Sequence, residues 1–173
     1  PKEFLWIENG ILRLMEPTQP RGMRLPIDFF LRSLAADQQQ NAVAVILSGT
    51  GSDGTAGVRS IKENGGMVLV QDPKEASHDG MPRSAIATGS VDHILPVAKM
   101  PAVISNYTEH PYIKRETVSK VLVENARDAL SDIIKVLKAH TPIDFQCYKE
   151  GTLLRRIERR MALRHLENST DYL

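Results

Sequence analysis

The stretch "NAVAVILSGTGSDGTAGVRSIKENGGMVLVQD", residues 41–72, joins two apolar runs through a glycine cluster and a segment of helical character. "NAVAVILS" is nearly continuous in apolar residues, the pattern of a strand covered on both faces in a parallel sheet. "DGTAGVRSIKENGG" reads as a helix stopped by Gly65 and Gly66, and "MVLVQ" as the next buried strand, which makes one βαβ unit. Gly49, Gly51 and Gly54 have the spacing G-x-G-x-x-G, and Asp72 ends the second run, where a dinucleotide-binding unit keeps its ribose-binding acid. Asp53 argues against that use, because it sets a carboxylate in the turn where two phosphate charges would lie. The same carboxylate suits a helix cap or the orientation of an imidazole. By spacing alone a capped β-to-α turn, a dinucleotide site and a catalytic acid all remain open.

The surrounding sequence extends the alternation. "FLWIENGILRL" places Asn9-Gly10 between two runs of aromatic and branched residues, which predicts a hairpin. "LPIDFFLRSLAAD" has Pro26 at a first helical position and apolar residues at helical spacing. Downstream, "DGMPRSAIATG" predicts a short helix closed by Gly89, "VDHIL" a strand and "VAKMPAVISNY" a covering helix. The fold class expected is α/β, a doubly wound and mostly parallel sheet incomplete at its N-terminal side, over residues 1–108. "TEHPYIKR" breaks the pattern and predicts a linker at 109–115. Residues 116–173 read as a small all-α domain, with apolar residues recurring at Val118, Leu122, Leu130, Ile133, Ile134 and Leu137, then at Leu154, Ile157 and Met161.

Composition narrows the class of protein. The 173 residues are 42% hydrophobic with a formal net charge of +1, so attraction to an acidic partner must come from local clustering. Cys147 is the only cysteine, which excludes an intrachain disulfide and a cysteine-rich metal site and suits a reducing, cytoplasmic setting. No apolar run approaches the ~20 residues of a membrane span, and no signal-peptide pattern opens the chain, so no membrane insertion is expected. The start at Pro1 without methionine and the stop at "STDYL" suggest a fragment of a longer protein.

Two longer motifs carry a resemblance. "LSGTGSDGTAGVRSIKENGG" and "VQDPKEASHDGMPRSAIATGSVDHILP", with "WIENGILRL" and "RLPIDFFLRSLA", resemble the catalytic domain of the chemotaxis protein-glutamate methylesterases, the CheB family, over nearly all of residues 1–108. The resemblance implies that Asp53 is the aspartate of a Ser-His-Asp triad. It also implies that backbone at Thr50 and Gly51 contributes to an oxyanion hole, and that "GMPRSAI", with Gly80, Met81 and Pro82, is a second active-site loop. Thr50 stands where the family usually carries methionine, which puts side-chain packing there in question but not the N–H. The family's serine and histidine belong to segments that precede residue 1, and no G-x-S-T-G-G-like stretch occurs in the chain. Ser52, His78 and His93 are poor substitutes, each better read as solvated or as part of the core.

In "YKEGTLLRRIERRMALRHL" the pairs Arg155/Arg159 and Arg156/Arg160 stand at i, i+4 on two flanks of an apolar stripe. Four arginines in six residues exceed ordinary solubility needs. No aromatic residues interleave them, so nucleic acid is not the partner expected. "TPIDFQCYKEGTLLRRIERRMALRHLENSTDYL" resembles the N-terminal helical domain of the chemotaxis receptor methyltransferases, the CheR family, and esterase followed by transferase resembles the known fused form. The partners so implied are the glutamate-bearing cytoplasmic methylation helices of chemoreceptors, met by these arginines. An S-adenosylmethionine-binding domain would begin after Leu173, and no cofactor or metal is expected within the chain itself. The function implied is chemotaxis adaptation by hydrolysis of receptor γ-methyl esters, deamidation of glutamines and methylation of the same glutamates. A non-catalytic receptor-binding module built from the same domains is the alternative.

Overall fold

A computed structural model describes residues 2–20, 23–110, 113, 119–145, 148–164, 166 and 171–172, the side chains of 119–128 excepted. Most of the expected linker, with Cys147, Val118 and the Leu122 side chain, lies outside the described residues. The chain divides into two compact units, residues 1–104 and 105–173.

The first unit opens with an antiparallel hairpin of β1 (Phe4–Glu8) and β2 (Ile11–Met15). Asn9 and Gly10 take φ of 53° and 74°, the two positive values a two-residue turn matched to strand twist requires. Their N–H groups both donate to the carboxylate of Asp37. The Gln38 side-chain amide, and then the Gly10 amide, hold that carboxyl below its usual range. Helix α1 (Pro26–Gln38) packs on β1, where the Phe4 and Phe29 rings meet at 4.9 Å and the Ile7 amide donates to the Ser33 hydroxyl.

The sheet has three parallel strands in the order β3 (Val43–Ile46), β4 (Met67–Gln71) and β5 (His93–Leu95). Helices α2 (Thr55–Glu63), α3 (Gly80–Ala87) and α4 (Met100–Glu109) alternate with or follow these strands, giving the parallel α/β architecture expected from the alternation of apolar runs. Every residue of β4 is buried, as the apolar run Met67–Val70 requires, and Gln71 at its end is buried with them. Burial along β3 alternates, with Ala44 and Ile46 buried and Val45 38% exposed, so within this chain one face of the strand is covered where the apolar run predicts two. The "VAKMPAVISNY" helix also starts later than expected, at Met100, after a single 3₁₀ turn over Val97–Lys99. Leu31, Ala35, Val58, Ile61, Val68, Val70 and Ala85 form the core between α1, α2, α3 and the sheet.

The second unit contains α5 (Ser119–His140) and α6 (Glu150–Arg164). Leu130 and Ile133 of α5 meet Leu153, Leu154, Ile157 and Met161 of α6 in one buried cluster. The expected stripe at Leu154, Ile157 and Met161 is thus the face that α6 buries. Among the described residues no helix is long and apolar enough to cross a membrane.

Candidate active site

The glycine turn follows β3 and leads into α2, and its shape comes from glycine where the chain needs it. Gly51 and Gly54 have φ of 86° and 101°, values that a side chain at either position would strain. Asp53 between them does not cap the helix it precedes. Its Oδ2 accepts the Ile27 N–H at 3.1 Å and its Oδ1 accepts the Asp28 N–H at 2.9 Å, so it caps the N-terminus of α1 instead. Neither α1 nor α2 has a capping bond from its own N-cap side chain, Leu25 and Gly54 being unable to provide one.

The glycine turn and the "HDGMP" loop are tied backbone to backbone. Gly49 N–H donates to His78 O, Met81 N–H donates to Gly49 O, both at 2.9 Å, and His78 N–H donates to the Ser48 hydroxyl. The approach is tight enough that a side chain would force a shift: a Cβ at Gly49 would lie 2.4 Å from Met81 Sδ, and one at Gly80 would lie 3.2 Å from Gly51 N. The Ser84 hydroxyl, from α3, donates to Gly51 O at 3.2 Å. Below the turn, Ser48 N–H donates to Gln71 Oε1, and Gln71 reaches Glu75, which accepts the Val97 N–H, so the loops after all three strands are joined.

This arrangement brings Thr50, Gly51, Asp53, Gly80 and Met81 into one locality, with Pro82 buried beneath it in α3. The amides of Thr50, Gly51 and Ser52 meet no acceptor among the described residues, and all three residues are exposed. Backbone donors left open beside a fixed carboxylate are the parts that acyl-transfer chemistry uses to hold an oxyanion and orient a base. Ser52 and His78 are exposed, and His93 is half-buried in β5. Asp79 precedes α3, and its partner Arg83 holds its carboxyl below the usual range.

On α6, Arg155, Arg156 and Arg160 are exposed, whereas Arg159 is half-buried and already engaged within the protein. Arg164 is exposed too, so Arg156, Arg160 and Arg164 make one row at successive i, i+4 positions. Arg164 was legible from its spacing to Arg160 alone. Glu158, half-buried in the same helix, has its carboxyl pushed up by loss of solvent. Asp28, Ser84 and Gln71 escape a reading by motif, since each acts through a partner distant in sequence; the one signal for Asp28 is an acid in the first turn after Pro26.

Residues 3–104 match the model of the CheB methylesterase family, and residues 128–173 match that of the CheR methyltransferase all-alpha domain. An uncharacterised 104.1 kDa protein of the hypE 3′ region of Rhodobacter capsulatus is 39% identical over 193 aligned positions, covering 100% of this chain and 20% of that protein. A protein-glutamate methylesterase/protein-glutamine glutaminase of Geobacillus kaustophilus is 41% identical over 100 positions, or 56% of this chain and 29% of its own length. The chain therefore spans less than a third of either relative. The crystal structure of the Thermotoga maritima CheB methylesterase catalytic domain superposes with a TM-score of 0.53 at 34% identity, covering 59% of this chain and 55% of that one. With more than half of its length matched by one family model, its sheet shared with a solved member and a CheR-type helical region behind it, the chain belongs to the CheB methylesterase family.

Proposed function

We propose that this chain contributes the orienting acid and part of the oxyanion hole to a protein-glutamate methylesterase of chemotaxis adaptation, and joins it to a receptor-docking helical region. The observation that carries the reading is the juxtaposition of the Asp53 carboxylate with the open amides of Thr50 and Gly51 in a turn braced by Gly80 and Met81. In the reaction, a serine Oγ from sequence outside this chain attacks the γ-ester carbonyl carbon of a receptor glutamate while a histidine takes its proton. Asp53 orients that histidine and stabilises its cation, and the amides hold the oxyanion. Collapse breaks the C–O bond, the histidine proton leaves with methanol, and water then frees the serine and the carboxylate. Deamidation of glutamine follows the same course with ammonia as leaving group.

Asp53 also has a plain structural role at α1, which favours the alternative of a non-catalytic module. The two roles are compatible, because a carboxylate offers about four lone-pair positions and α1 takes two. A dinucleotide suits the turn less well. The α2 amide of Gly57 is already taken by the Asp28 carboxylate, and Asp72 is turned into a local bond with the Lys74 amide.

The helical unit supplies docking through the exposed Arg155, Arg156 and Arg160, whose guanidinium groups pair with the glutamates of chemoreceptor methylation helices, while Arg159, of the four expected, is engaged within the protein. S-adenosylmethionine, the methyl donor of the opposing reaction, would be held by a separate α/β domain and not by these residues. The reading makes the protein cytoplasmic, where those helices lie. The test is release of methanol from a methylated chemoreceptor by the full-length protein. Release that tracks enzyme concentration supports the reading, and its absence from protein that still binds receptor favours the non-catalytic module.

A further inference from the structure

The N-termini of α1 and α2 exchange caps. Asp53, ahead of α2, accepts the Ile27 and Asp28 amides of α1, and Asp28, in the first turn of α1, returns a carboxylate to α2 by accepting the Gly57 N–H at 2.7 Å. Asp28 is 6% exposed, and a carboxylate is seldom buried without such a partner. The helices approach closely enough there that a Cβ on Gly57 would fall 2.5 Å from Leu31 Cβ, so the exchange sits against a tight contact between α1 and α2. One residue, Asp28, thus does two things at once: its backbone N–H holds Asp53 Oδ1, and its side chain fixes the helix start that follows the Asp53 turn.

We infer that Asp28 is a positioning residue for Asp53, locking its carboxylate plane so that the free lone pairs keep one direction. The inference deepens the esterase reading and rests on it for its consequence in turnover, though not for its structural part. Without the Asp28 carboxylate, Gly57 loses its acceptor, the first turn of α2 loosens, and the Asp53 turn is released from the register in which it meets α1. Asp28→Asn keeps an oxygen that accepts the Gly57 amide and therefore keeps the lock. Asp28→Ala removes it.

The test combines residue-resolved amide hydrogen exchange on this chain with ester hydrolysis by the full-length protein. In Asp28→Ala, positioning predicts that the amides of Ile27 and residue 28, which bond Asp53 and not the altered side chain, lose protection by about tenfold along with Gly57, the scale of one lost helix cap. The buried Val68 amide keeps its protection as the fold control. In the full-length protein kcat falls by about tenfold or more with KM little changed, because an acid held loosely costs orientation and not substrate binding. Asp28→Asn restores both readings. If Asp28→Ala does not fold, Asp28→Ser, with its acceptor one bond shorter, is read in the same way. Opening of Gly57 alone, with Ile27 and residue 28 still protected, overturns the inference, as does unchanged kcat in a variant whose three amides have opened while Asp53→Asn is inactive. If Asp53→Asn is itself fully active, the esterase reading of Asp53 fails, and the coupled exchange still decides whether Asp28 positions it.

Discussion

Around the glycine turn, absent side chains permit close approach, of the Met81 side chain at Gly49, of the Ile27 side chain at Gly54 and of backbone at Gly80. Gly80 is the sharpest case, since a Cβ there would lie 3.2 Å from Gly51 N and 3.4 Å from Gly49 O. Neither atom is the far end of a flexible side chain, so the two loops must part or the Gly51 amide must turn. Gly80→Ala should therefore lower the kcat of the full-length protein by at least about tenfold, short of the 10² to 10³ that loss of a whole oxyanion donor costs. Its thermal stability should fall modestly, by about 1 to 3 kcal/mol as for other overpacked sites. Steady-state kinetics beside a thermal melt check this, and wild-type turnover in the folded variant would remove the Gly51 amide from the site. Asp53 marks how far such residues can be read in sequence. Its charge in the turn tells against phosphate, but spacing leaves both cap and catalytic acid open. The structure shows a cap whose target, α1, begins 27 positions earlier at Pro26 and has no local signal pointing to Asp53.

Elements with a strong period were legible, and those decided by neighbours were not. The buried run of β4, the Asn9-Gly10 turn and the Leu154, Ile157, Met161 stripe follow from composition because each is fixed by its own residues. The exposure of Val45 depends on which face of β3 the rest of the chain covers, and the start of α4 at Met100 depends on a 3₁₀ turn after Pro96; neither is a property of the segment itself. Within α6 the half-buried Glu158 has a further consequence. Burial favours its neutral form, so its folded pKa is raised, and the associated stability is present below the unfolded value and lost as pH rises through the folded one. Glu158→Gln should accordingly raise the melting temperature of the helical unit at neutral pH, with the difference from wild type vanishing below about pH 4. Calorimetric melts across pH measure it, and a variant less stable at neutral pH would mean that Glu158 is held by a favourable ion pair.

For the molecule as a whole, a CheB methylesterase region and a CheR-type helical region share one chain, and the proposed role of each has its own readout. Because Arg159 is engaged within the protein whereas Arg156 and Arg160 are exposed, Arg156→Ala with Arg160→Ala should weaken binding to a chemoreceptor methylation peptide more than Arg155→Ala with Arg159→Ala. Binding should weaken as salt rises, since exposed charges are screened over about 8 to 10 Å. Titration of both double variants at two ionic strengths tests this, and equal losses together with tighter binding to random duplex DNA would replace docking with general polyanion attraction. The proposed role of Asp53 is to orient a catalytic base. Its most direct measurement is kcat for ester hydrolysis on a methylated receptor by the full-length protein carrying Asp53→Asn, with Val68 amide exchange confirming the fold. The predicted result is a fall of roughly 10³ to 10⁴, as for loss of the orienting acid in other triads, with KM little altered. A fall of less than about tenfold in a folded variant would contradict it and leave Asp53 as the cap of α1 alone.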